Sequence, residues 1–161
     1  AMPTIVDATA GMGRDAFFLA SLGAEVTLIE RSPQVHAALD RAMIAARDHS
    51  EDLAAIIARM TLLLGDSREL LPTLSPEVVL VDPMHPERTK SALVKKQMRD
   101  LRDVVGADPD AHELMDAALA AAQNRVVLKW PLRAAPIVGL RKPSHQILGK
   151  TTRYDVFVTR I

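Results

Sequence analysis

The feature that most constrains this 161-residue chain is an alternation. Short apolar runs rich in β-branched residues recur along its length, and each is followed by a stretch with helical periodicity. The runs fall at 4–7, 25–30, 60–64, 78–82 and 125–129. The helical stretches fall at 14–22, at 33–47 with a further piece to 58, at 67–71, 90–105 and 111–123. Brief, continuously apolar strands separated by helices are the pattern of βα units, whose parallel strands are covered by helices on both faces. Ser32-Pro33 opens one such helix with a capping hydroxyl and a proline at the first turn. The last twenty residues break the rhythm. Runs at 146–148 and 154–159 around Gly149-Lys150 predict an antiparallel hairpin that closes the sheet. The expected fold is α/β, Rossmann-like and seven-stranded, in one domain spanning 1–161. Ala1-Met2-Pro3 runs straight into the first strand, which predicts a piece cut from a longer chain.

Composition narrows the function classes. The chain has no Cys, which removes disulfide frameworks and thiolate zinc sites. It is 48% hydrophobic and 25% charged, the balance of a chain that folds. No apolar run approaches the roughly 20 residues of a membrane span, and no leader pattern opens the sequence. A cytoplasmic protein that uses neither membrane nor metal is expected, since the histidines lack ligand spacing. Met12, Met43, Met60, Met98 and Met115 read as core filler. Net charge is zero, but residues 1–87 hold 6 basic against 13 acidic side chains and residues 88–161 hold 14 against 7. The second half is therefore the candidate face for a polyanion.

Chemistry enters at Asp7-Ala8-Thr9-Ala10-Gly11-Met12-Gly13-Arg14-Asp15-Ala16, where the first strand hands over to a helix. Gly11-x-Gly13-x-x-Ala16 matches the dinucleotide fingerprint, and Glu30 ends the next strand at the distance expected of a ribose-binding acid. Acids at both shoulders of the turn, Asp7 and Asp15, repel a diphosphate but suit the sulfonium and ammonium of S-adenosylmethionine. Five parallel strands followed by a hairpin point the same way, because a nicotinamide domain ends in a sixth parallel strand. Gly65-Asp66-Ser67 supplies a carboxylate and a hydroxyl for the adenine side, or simply caps a helix. In Val81-Asp82-Pro83-Met84-His85-Pro86 a strand delivers a carboxylate into a rigid loop. An exocyclic amine is a poor nucleophile because its lone pair is delocalised. Asp82 with a carbonyl near Pro83 is placed to align it, and His85 to stack on a base.

These segments together resemble the bacterial RsmJ-type methyltransferases, which use S-adenosylmethionine to modify guanine N2 in 16S ribosomal RNA. The likeness runs nearly end to end through VDATAGMGRDAFFLASLG, LIER, LVDPMHPER with KSALVKKQMR, and RVVLKWP. It implies cofactor contacts from Arg14, Asp15, Glu30, Arg31, Asp66, Ser67 and Asp82, and ribosomal RNA or the small subunit as partner. The chain departs from the family in having His85 where relatives usually have Phe, and in lacking their N-terminal segment.

After the Asp-Pro loop, Arg88 and Lys90 precede a helical stretch. Its apolar stripe, Val94, Met98, Leu101 and Val105, runs beside Lys95, Lys96, Arg99 and Arg102. Cations there and at Lys129 are expected to hold phosphates without reading bases, with Arg133, Arg141, Lys142 and Lys150 extending the surface. The reading carried forward is methyl transfer to a guanine amine. Its rivals are an amine on DNA or protein, and an RNA-binding module with a vestigial nucleoside pocket.

Overall fold

The computed structural model describes residues 2–83 and 109–160. They form one seven-stranded sheet in the order β3-β2-β1-β4-β5-β7-β6. The elements in chain order are β1 (Thr4–Asp7), α1 (Arg14–Ser21), β2 (Glu25–Glu30), α2 (Pro33–His49), α3 (Glu51–Ile57) and β3 (Met60–Leu64). Then come α4 (Ser67–Leu70) with a 3₁₀ turn (Leu71–Thr73), β4 (Val78–Val81), α5 (Pro109–Ala121), β5 (Arg125–Pro131), β6 (His145–Leu148) and β7 (Thr152–Val158). Strands β1 to β5 pair in parallel, and β7 runs antiparallel to both β5 and β6. The hairpin therefore inserts β7 beside β5 and leaves β6 at the edge.

Local sequence explains the element ends. Ser32 stays extended and its Oγ accepts the Val35 N–H at 3.3 Å, while Pro33 opens α2. Ser50 ends that helix and starts another. It is extended, at φ −157°, and its Oγ accepts the Leu53 N–H at 3.1 Å ahead of the acidic first turn Glu51-Asp52. The strands alternate between two cores. Ile5, Val26 and Leu28 face Ala16, Ala20 and Leu39, whereas Val6, Ile29, Val79 and Val126 face Ala111, Met115 and Ala118 of α5. Both faces are thus covered, as a parallel sheet requires. Trp130 and Phe157 are buried, but Phe18 stays exposed. The segment 90–105 proposed as a helix lies outside the described residues.

Candidate functional site

The strand order reverses between β1 and β4, which are neighbours in the sheet but separated in sequence by two βα units on the other side. Ligands of open α/β sheets bind at such a switch point, outside the carboxyl ends of the strands. The loop leaving β1 is stitched to both neighbours there. Ala8 N–H donates to Leu80 O at 2.9 Å and Ala10 N–H to Ile29 O at 3.1 Å. The Thr9 hydroxyl accepts the Asp82 N–H at 2.7 Å, tying the β1 turn to the end of β4. Gly11 (φ 55°) and Gly13 (φ 77°) adopt left-handed backbone, which a side chain would strain. A Cβ on Gly13 would also stand 2.9 Å from Leu39 Cδ1, so glycine lets α1 start tight against α2.

Above this loop opens a cleft of about 550 Å³, within the range of small-molecule sites. Ala8, Ile29, Val35, Ala111 and Leu114 give it apolar walls; Glu30, Asp66, Ser67 and Asp82 give it polar ones. Of the residues expected from sequence, Gly11, Glu30, Arg31, Asp66, Ser67, Asp82 and Pro83 line it. Asp7 is buried and does not line it, and neither do Gly13, Asp15 and the exposed Arg14. His85, Arg88, Lys90, Lys95, Lys96, Arg99 and Arg102 lie outside the described residues. Of the two purposes weighed for Asp66 and Ser67, helix capping is met by Asp66, and both residues border the cleft. Asp66 caps α4 by accepting the Arg68 N–H at 2.9 Å, and the Ser67 hydroxyl donates to Ala8 O.

Four residues escaped sequence reasoning. Thr9 sits inside the glycine fingerprint, where a hydroxyl carries no signal of its own. Met12, expected in the core, is 61% exposed and lines the cleft, because the left-handed glycines on either side turn it outward. Arg68 donates to Asp66 at 2.7 Å, to Asp110 at 3.2 Å and to Glu113 at 2.6 Å, fastening the first turn of α5 over the cleft. Asp110 lines the same wall. Lys129, expected on a phosphate, is placed by the structure beside carboxylates, 3.8 Å from Asp82 Oδ2 and 3.9 Å from Asp15 Oδ2. Its strand ends at the site, so the cation meets the acids of the first half of the chain.

The electrostatics are those of a cation site. Burial pushes the Asp7 carboxyl up to about 7 against the pull of the Thr9 N–H, and Asp15, Asp82 and Glu30 push in the same direction as burial. Asp66 moves the other way, held low mainly by its hydrogen bond with Arg68. Three acids thus act on Asp7 at one sheet edge, and two of them, Glu30 and Asp82, border the cleft, an arrangement that disfavours a diphosphate and favours a sulfonium. Apolar walls suit an adenine, and Glu30 at the end of β2 suits ribose hydroxyls. The donor set fits S-adenosylmethionine. Among the described residues no group of His, Asp or Glu is arranged to hold a metal ion.

Fold and site together define a SAM-dependent methyltransferase, and the family model of that description matches residues 1–159. The chain is 70% identical over 158 residues to ribosomal RNA small subunit methyltransferase J of Brucella anthropi, covering 98% of this chain and 77% of the relative. Against the protein of that name from Rhodopseudomonas palustris strain HaA2 it is 70% identical over 154 residues, or 96% and 71% of the two chains. The SAM-dependent methyltransferase NGO1261 of Neisseria gonorrhoeae superposes with a TM-score of 0.78 at 35% identity, over 98% of this chain and 65% of that one. The glycopeptide N-methyltransferase MtfA in complex with SAM, 22% identical with a TM-score of 0.55, shares the fold over the whole of this chain and 60% of its own. This chain belongs to the ribosomal RNA small subunit methyltransferase J family.

Proposed function

We propose that this protein transfers a methyl group from S-adenosylmethionine to the exocyclic N2 amine of a guanine in 16S ribosomal RNA. The relatives' activity on small-subunit RNA supports the substrate class. The observation that carries the chemistry is Asp82, at the carboxyl end of the central strand β4. It borders the cleft, and its backbone N–H is pinned by Thr9.

When bound, S-adenosylmethionine supplies a methyl group on a positively charged sulfur. Glu30 accepts the ribose hydroxyls, the walls around Ile29, Val35 and Leu114 enclose the base, and Asp82 faces the amine. The Asp82 carboxylate accepts hydrogen bonds from the amine N–H groups, which turns the nitrogen lone pair out of conjugation and holds it in line. The N–C bond would form as the S–C bond breaks with its electron pair going to sulfur, and the proton lost by the amine would pass to Asp82 or to water. Pro83 limits the backbone freedom of the loop that bears this carboxylate. The sequence assigns His85 to the target base and Arg88, Lys90, Lys95, Lys96, Arg99 and Arg102 to flanking phosphates, at positions outside the described residues.

The test is transfer of tritiated methyl to small subunits that lack the modification, comparing wild type with Asp82→Ala. The expected loss is about 100-fold or more, the scale of a lost orienting contact, with the label recovered as N2-methylguanine after nuclease digestion. Equal labelling by both proteins overturns the role of Asp82. Label that resists nuclease, or that elutes as another nucleoside, overturns the guanine assignment.

A further inference from the structure

Lys129 follows Leu128, the last residue of β5 in register with β4, where Leu128 pairs with Val81. Its ammonium therefore reaches the level of Asp82 at the carboxyl edge of the sheet. It stands 3.8 Å from Asp82 Oδ2 and 3.9 Å from Asp15 Oδ2, longer than a direct hydrogen bond to either. At such distances it acts as a point charge shared by two acids on different elements, the first turn of α1 and the end of β4, of which Asp82 borders the cleft and Asp15 does not. The side chain is 31% exposed, so its charge is only partly screened by water.

We propose that Lys129 is a positioning residue that offsets part of the field of Asp15 and Asp82. In doing so it sets how strongly the cleft prefers a sulfonium over a thioether. The donor and the S-adenosylhomocysteine left after transfer differ by one methyl group and one positive charge. Carboxylates beside the sulfur favour the donor, and a neighbouring ammonium opposes that preference while keeping the two acids from repelling one another. The inference rests on the reading that the sulfur lies on the Asp82 side of the cleft. It does not depend on which amine is methylated.

The experiment is calorimetry of S-adenosylmethionine and of S-adenosylhomocysteine, without RNA, on wild type, Lys129→Met and Lys129→Arg. The methionine variant is expected to raise the ratio of product Kd to donor Kd by roughly threefold or more, the scale of a partly exposed charge pair. The arginine variant is expected to keep the wild-type ratio. A purely structural role weakens both ligands alike, and a phosphate contact lowers RNA affinity alone. Either result leaves the ratio unmoved and overturns the proposal, as does an arginine variant that behaves like the methionine one. Asp82→Asn, titrated alongside, is expected to lower the ratio. If it does not, the sulfur does not lie against Asp82 and the reading on which the proposal rests fails; if it does while Lys129→Met leaves the ratio unmoved, the role of Lys129 alone fails.

Discussion

Asp7 shows how a single residue carries the character of the site. It is 3% exposed at the end of β1, and burial with three neighbouring acids raises its carboxyl from 3.8 to about 7. Between those values the native chain holds a proton that the unfolded chain has released. Stability is therefore expected to fall as pH rises from about 4 to about 7. Asp7→Asn keeps an oxygen for the Thr9 N–H but removes the ionisation. Its urea midpoint, relative to wild type, is expected to climb across that interval, and a difference that stays constant with pH contradicts the assignment. The edge position of Asp82 was legible in sequence, because an acid that ends an apolar strand stands where ligands bind; the same signal put Asp7 on the cofactor, but the structure buries it away from the cleft. The proton on Asp7 was not legible, since it depends on burial and on acids 8, 23 and 75 positions away in sequence brought to one edge by the fold.

Among the elements, β7 holds the most unexpected chemistry. Arg153 and Asp155 alternate onto one face of the strand with side chains only 8% and 6% exposed, paired at 3.1 Å. The guanidinium also donates to the carbonyls of Leu132 at 3.0 Å and Ala134 at 2.9 Å, and Gln146 of β6 donates to Asp155 at 2.8 Å. This network fastens the loop after β5 to the hairpin. Arg153→Met leaves Asp155 buried without its main partner, and urea unfolding is expected to show a loss of roughly 3–5 kcal/mol. A loss below about 1 kcal/mol contradicts a buried, coupled pair. Sequence reading placed both strands of the hairpin but started β7 at 154, two residues late. Thr152-Arg153 looks like a polar turn until the carbonyls that satisfy the arginine are in view. The first three strands and the start of α2 were readable because apolar runs and a Ser-Pro cap are local signals. β5 extends to Pro131, beyond the predicted end at 129, because antiparallel pairing with β7 carries it on.

At the scale of the molecule, the charge split along the sequence is partly undone by the fold. Lys129 from the basic half meets Asp15 and Asp82 from the acidic half, and Arg68 from the acidic half meets Asp110 and Glu113 from the basic one. Halves of a chain intermix when a sheet interleaves them, so a polyanion surface could not be read from the sum alone. What survives is local. The sheet brings the ends of β1, β2, β3 and β4 to one cleft, and Gly11, Glu30, Asp66 and Asp82 meet there from positions spread across more than seventy residues. Co-crystallisation with S-adenosylmethionine tests this arrangement most directly. The adenosyl group is expected between the Gly11 turn and α5, with its ribose on Glu30 and its sulfur turned toward Asp82. Density that puts the cofactor elsewhere, or a methyl group walled off from the Asp82 carboxylate, contradicts the account.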